Sequence, residues 1–112
     1  KKIILSKRKL FKNYRKEFQD YNYAKIFEVD GARSSNYWLN TLILDNKIQS
    51  FRKLLLKKSN DKKIEIRPCW KLMHRLNHFI KNPKMNLSEA EKINLKIINI
   101  PSSPIYGLQK YK

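Results

Sequence analysis

Ile4, Phe11, Tyr14 and Phe18 recur at helical spacing with Lys and Arg between them. This predicts an amphipathic N-terminal helix running to about Phe18, with residues 20–22 as its exit. Residues 23–29 alternate loosely and carry aromatics, which predicts a strand. Asp30-Gly31 follows as a turn signal. Residues 36–44 (NYWLNTLIL) are almost wholly apolar and aromatic, and the lack of polar alternation predicts a strand buried on both faces.

Asp45-Asn46 can start the next helix, and Asn46 with Gln49 has capping-box spacing. Ile48, Phe51, Leu54 and Leu55 form its apolar stripe, and it ends near Ser59-Asn60. Residues 63–67 (KIEIR) alternate strictly, Ile64 and Ile66 against Lys63, Glu65 and Arg67, as in a half-buried strand stopped by Pro68. Strand, helix and strand with short links predict a βαβ-like or split unit. Residues 70–80 read as a short helix or ordered loop, broken at Asn82-Pro83. Ser88 and Glu91 have capping-box spacing for a helix through about Lys96. Residues 97–100 make a short apolar strand ended by Pro101. The fold class expected is α+β: a small, mostly antiparallel sheet covered by helices.

At 112 residues the chain is one small domain at most. Its 26 basic residues against nine acidic ones give a formal charge of +17. Such charge first suggests nucleic acid or an anionic surface. The kind of base argues otherwise, since twenty lysines stand against only six arginines. Lys, Asn and Ile, all read from AT-rich codons, together fill 44 positions. Specific nucleic-acid readers lean on the arginine fork, so a solvated lysine surface is the preferred reading. A free-standing basic nucleic-acid-binding module stays open as the alternative. No stretch is long and apolar enough for a membrane span, and no signal peptide shows. The first residue is not Met and the opening residues already read as mid-helix, so a fragment is expected.

Cys69, His74 and His78 are the strong transition-metal ligands, and three are one short of a tetrahedral site. Arg75 stands where a zincin would need Glu, so no metal site is expected. Cys69 reads as a small side chain packed beside Trp70 rather than a nucleophile. The chain shows no complete catalytic set. Asn36, Tyr37, Arg67, Trp70 and His74 stand out by their position at strand ends, where a sheet aims loop residues. Four of them also have a plainer reading: core aromatics for Tyr37 and Trp70, a surface ion pair for Arg67, a satisfied or exposed ring for His74.

Several stretches, in order, resemble a known family. They are residues 31–38 (GARSSNYW), Arg52 to Leu54, residues 67–70 (RPCW), Met73-His74, Ala90-Glu91 and residues 99–103 (NIPSS). This order resembles the C-terminal part of the DegT/DnrJ/StrS-type sugar aminotransferases, most of all the branch acting on UDP-linked amino sugars toward bacillosamine or legionaminic acid. The resemblance implies a cytoplasmic, homodimeric, fold-type-I pyridoxal-phosphate enzyme. Such an enzyme moves an amino group, usually from glutamate, onto a nucleotide-linked keto sugar in surface-polysaccharide or glycan biosynthesis. It further implies that residues 1–22 end a long interdomain helix and residues 23–112 form the small C-terminal domain. The large domain with the cofactor lysine would precede them, and the fragment alone would be inactive. Asn36, Tyr37, Arg67, Trp70 and His74 would then bind substrate, Arg67 through a carboxylate or diphosphate and His74 through the sugar or nucleotide. Separation from that domain would expose apolar surface near residues 3–5 and 106–111. The family pattern carries Gly in the turn before the third strand. Here Asp61-Lys62-Lys63-Ile64 stands there, which predicts a changed turn. After the histidine, Leu76-Asn77 replaces the family's Leu-Pro.

Overall fold

The computed structural model describes residues 1–29 and 35–108. In chain order these form α1 (Lys2–Phe18), β1 (Ala24–Ile26), β2 (Asn40–Leu44), α2 (Arg52–Asp61), β3 (Arg67–Pro68), α3 (Ser88–Lys96), β4 (Ile97–Ile100) and α4 (Pro104–Leu108). Tight 3-10 turns at Asn46–Phe51, Met73–Arg75 and Asn77–Phe79 link them.

The sheet order is β1-β2-β4-β3, and every neighbouring pair is antiparallel. β4 lies between β2 and β3 and opposes both, so β2 and β3 run parallel. The β2-α2-β3 crossover is therefore split by β4, as expected from the strand-helix-strand pattern. The register sets Ala24 against Leu44, Leu42 against Ile98 and Asn40 against Ile100. These positions share one face. Ala24, Leu42, Leu44, Ile98 and Ile100 form the core with Ile66, and Tyr14, Phe18, Ile48 and Leu56 close over it. Full burial of one Leu or Ile contributes about 1.5–3 kcal/mol, so this cluster holds the sheet to α1 and α2. On the opposite face Thr41 Oγ1 bonds Asn99 Oδ1 at 2.9 Å across the β2–β4 pair.

α1 keeps the expected stripe and adds Leu10, which is fully buried with Phe11 and Ser6. α4, which the pattern did not announce, lies along α1. Gly107 is buried there, and Ser6 donates its hydroxyl to the Pro104 carbonyl. Of the apolar surface expected over residues 3–5 and 106–111, Ile3, Leu5 and Tyr106 are exposed, but Ile4 is half-buried and Gly107 is buried; positions 109–111 lie outside the described residues, as does the Asp30-Gly31 turn.

Several expectations are corrected. The strand foreseen over residues 36–44 begins only at Asn40, because Tyr37 sits at φ 52° and breaks the extended backbone. The strand is half-buried in alternation rather than on both faces. In the second helix Phe51, Leu54 and Leu55 stay exposed, and Leu56 takes the core position with Ile48. The 3-10 turn rotates the register, which the stripe could not show. Neither capping box forms. Asp45 Oδ1 accepts from the Lys47 amide at 2.8 Å, and Asn86 Oδ1 from the Ser88 amide at 3.0 Å. Residues 63–67 do not form a strand; pairing is confined to Arg67–Pro68, with Ile66 buried and Ile64 half exposed. Pro68 is tolerated because β3 is an edge strand.

The end of α2 explains that shortening. The Ile64 amide donates to Ser59 O at 2.9 Å and the Lys63 amide to Asn60 O at 2.8 Å, with Lys63 at φ 61°. This is a Schellman stop, whose left-handed residue is ordinarily glycine. Lysine at that position costs roughly 1–2 kcal/mol of backbone strain, against which glycine's extra chain entropy weighs about 0.5–1 kcal/mol. Lys63→Gly is accordingly expected to raise stability by about 0.5 kcal/mol, read from the denaturant midpoint. Gly107→Ala goes the other way. A methyl there would lie 2.6 Å from Ser6 Oγ and nearer still to the Ser6 carbonyl oxygen. The expected loss is about 1–3 kcal/mol, and amide exchange in α4 should rise with it.

Candidate functional site

Sequence chemistry builds the turn before β2. Ser35 Oγ accepts from the Tyr37 amide at 2.9 Å, and Asn36 Oδ1 from the Trp38 amide at 3.0 Å. These side-chain turns hold the chain in a tight bend. Tyr37 at the bend carries a left-handed backbone, which costs a bulky residue roughly 1–2 kcal/mol. Its ring packs on Phe11 with centroids 5.0 Å apart.

Lys7 of α1 reaches this bend. Its Nζ donates to Tyr37 O at 3.1 Å, to Trp38 O at 3.2 Å and to Ser102 O at 2.9 Å. Hydrogen bonds to a charged group are worth about 1.5–3 kcal/mol each, so the set outweighs the Tyr37 strain. Ser102 Oγ accepts from the Asn40 amide at 2.7 Å and lies 3.3 Å from Asn40 Nδ2, while donating to Ile100 O at 2.8 Å. Asn40 is fully buried, and its Oδ1 has no partner among the described residues.

The bend points Trp38 outward, against Trp70. The two indoles stack with centroids 5.7 Å apart and planes 29° off parallel. They are 65% and 62% exposed, which overturns the core reading of Trp70. Beside them lies a cleft of about 310 Å³ lined by Leu39, Glu65, Arg67, Pro68, Trp70 and Asn99 among others. Arg67 is exposed and ion-paired with Glu65, whose hydrogen bond and charge raise its pKa further. A cationic fork and an indole face thus share one opening.

α3 fastens the segment after Trp70. Asn94 Nδ2 donates to Trp70 O at 3.0 Å. His74 Nε2 lies 2.8 Å from Glu91 Oε1, and Arg75 donates to the same oxygen from Nε at 3.2 Å and from Nη at 3.0 Å. An ionised carboxylate only accepts, so His74 donates through Nε2. The His74 ring lines a separate apolar hollow of about 450 Å³ with Leu72, Met73, Phe79 and Leu87.

The structure therefore brings Arg67 and Trp70 together in one cleft, whereas Tyr37 packs on Phe11 and lines a different one. Asn36 acts in the turn, its carbonyl engaged by Trp38. His74 faces α3 and stands apart. Lys7, Trp38, Asn40, Glu91 and Ser102 were not singled out from the sequence as site residues. Trp38 was legible as a large aromatic beside a turn, whereas Lys7 is one lysine among twenty. Among the described residues no group of three or more His, Cys, Asp or Glu could hold a metal ion. No helix among them is long and apolar enough to cross a membrane.

A family profile described as the DegT/DnrJ/EryC1/StrS aminotransferase family matches residues 1–110. The chain belongs to that family. No curated protein matches it. Solved structures share the fold of this DegT-family chain. The aminotransferase TlmJ from Streptoalloteichus hindustanus superposes with a TM-score of 0.78 at 13% identity, over 91% of this chain and 27% of its own. DesI, solved in the presence of its TDP-sugar product, gives 0.80 at 16%, over 91% and 26%. Helicobacter pylori PseC, an aminotransferase involved in the biosynthesis of pseudoaminic acid, gives 0.77 at 16%, over 90% and 28%. The chain thus spans about a quarter of each of these proteins.

The α3 latch has a pH signature. Glu91 is held below the ordinary carboxylate range, first by its hydrogen bond with His74 and then by that with Arg75. A depressed carboxylate stabilises above its unfolded pKa, and that stability is lost as pH falls through the folded value. Below the ordinary carboxylate range the latch is therefore expected to open, freeing the 70–79 segment. Glu91→Gln should remove this acid step. Trp70 fluorescence followed against pH checks both.

Proposed function

We propose that this chain is the small C-terminal domain of a pyridoxal-phosphate-dependent nucleotide-sugar aminotransferase, a cytoplasmic homodimer in its full form. Residues 1–22 would be the end of an interdomain helix and residues 23–112 the small domain. The observation that carries the reading is the family match over residues 1–110. Its span of about a quarter of the solved relatives fits a large domain carried elsewhere in the protein.

The cofactor would supply the electron sink and the amino carrier. On this reading its site would lie in the large domain. Lys7, the lysine drawn inward at the bend, gives its ammonium protons to three carbonyls and is unsuited to act as a free amine. No step through the cofactor is assigned to this chain.

What the chain offers is a wall for substrate. Arg67 suits a diphosphate or carboxylate, because guanidinium binds both in bidentate fashion. Trp70, backed by Trp38, offers an aromatic face to a ring. Tyr37 and Asn36 shape that wall, while His74 would meet the sugar or nucleotide from its own hollow, apart from the wall. The substrate would be a UDP-linked keto sugar of the bacillosamine or legionaminic acid type, the donor glutamate, and the product a precursor for surface polysaccharide or glycan.

The test is the full-length protein with pyridoxal phosphate, glutamate and a UDP-4-keto sugar. Glutamate is expected to change the cofactor spectrum, and the sugar to reverse the change; no spectral response to glutamate counts against the reading. Arg67→Ala is expected to lower kcat/KM for the sugar roughly 10- to 100-fold, the worth of one charged hydrogen-bonded contact. If the glutamate response is lost instead, Arg67 holds the donor carboxylate.

A further inference from the structure

We infer that Lys7 is a positioning residue: its ammonium, bound by the carbonyls of Tyr37, Trp38 and Ser102, sets the bend that stacks Trp38 on Trp70. The functional weight of that stack rests on the proposed site, but the positioning itself does not.

Three observations meet at this point. First, the contacts are all to backbone oxygens, at 2.9 to 3.2 Å, and they come from two distant segments, residues 37–38 and residue 102. An ammonium has three protons and no acceptor, so three carbonyls saturate it. Second, the bend is strained. Tyr37 is held at φ 52°, a conformation that persists where its surroundings over-determine it. The Ser35 and Asn36 turns, the Phe11 contact and Lys7 are those surroundings. Of these, Lys7 is the one that grips the carbonyls of the peptides before and after Trp38. Third, Trp38 is mostly exposed, so packing does little to fix its ring. Its place on Trp70 follows from where the backbone delivers it.

Lys7 is thus distinct from the lysines around it. Lys9 on the same helix is exposed and makes no such contact. Arginine would not replace Lys7 fully, because its donors lie in one plane while the three carbonyls surround a point charge.

The experiment uses the full-length protein. Stacked indoles couple, and the pair's signature is the far-UV circular-dichroism difference between the wild type and Trp38→Phe. Lys7→Met is expected to lose most of that signature, Lys7→Arg to weaken it, and Lys9→Met to leave it unchanged. If the proposed site is right, Lys7→Met should also raise KM for the nucleotide sugar about tenfold, with a smaller change in kcat. A signature at full strength in Lys7→Met overturns the inference. Should that variant fail to fold, full strength in Lys7→Arg overturns it. The spectral arm needs no transaminase activity. An inactive wild type that still loses its signature in Lys7→Met would sink the proposed function and keep the positioning role.

Discussion

The saturated ammonium of Lys7 is the constraint on which the geometry of the site depends. It joins the middle of α1, the approach to β2 and the chain leaving β4. Ser102 makes the junction continuous, since its carbonyl accepts from Lys7 while its hydroxyl accepts from the Asn40 amide. Tyr14 adds a parallel tie, its hydroxyl donating to Pro101 O at 3.0 Å. The hydrophobic cluster below is non-directional and would tolerate sliding of α1 along the sheet. Hydrogen bonds to fixed carbonyls do not tolerate it, so the polar junction sets the register that burial leaves open.

A second division of labour separates the two ends of the sheet. β2 and β4 are central and apolar, and their alternation needs no help. β3 is only a two-residue edge, yet it carries Arg67 and delivers Trp70. What fixes it is the Schellman stop of α2, followed by Asn60 Nδ2 donating to Ile66 O at 3.0 Å and by the α3 latch on Trp70 and His74. The site wall is thus held by helix ends and side-chain contacts more than by strand pairing. Loops on a rigid frame are where binding residues ordinarily sit, and here the frame reaches into the loops through Asn60, Glu91 and Asn94.

The sequence made the architecture legible wherever burial decides the conformation. The α1 stripe, the apolar run of β2 and β4, and the split crossover all follow from period and polarity. It misled wherever a backbone special intervened. Tyr37 and Lys63 both adopt positive φ without being glycine, and both shorten a strand that periodicity had extended. Residues 36–39 look like strand because Tyr, Trp and Leu favour strands. Their role is set instead by Ser35 and Asn36 turning the chain beneath them. The Ser88–Glu91 capping box failed for a different reason, since Glu91 is claimed by His74 and Arg75 from a distant segment, and at Asn46 the Asp45 side chain caps instead. Of the candidate site, Arg67 and Trp70 were found together from position in the chain. Trp38 and Lys7 were not, because stacking and carbonyl capping are tertiary events.

The basicity takes on a different meaning beside these contacts. Among the described residues, ion pairs join Arg15 to Glu28, Arg67 to Glu65 and Arg75 to Glu91, whereas lysine enters through Lys92 with Glu89. Arginine makes three of these four pairs, although lysine outnumbers it more than threefold. That is what a surface filled with lysine for solvation would show, with arginine kept at the positions that hold something. Lys7 is the instructive exception. Its task is to satisfy carbonyls arriving from separate segments, and a compact charge with rotatable protons serves that task better than a flat fork. The same residue type therefore spans the two extremes of this chain, interchangeable over most of the surface and specific where the backbone converges on it.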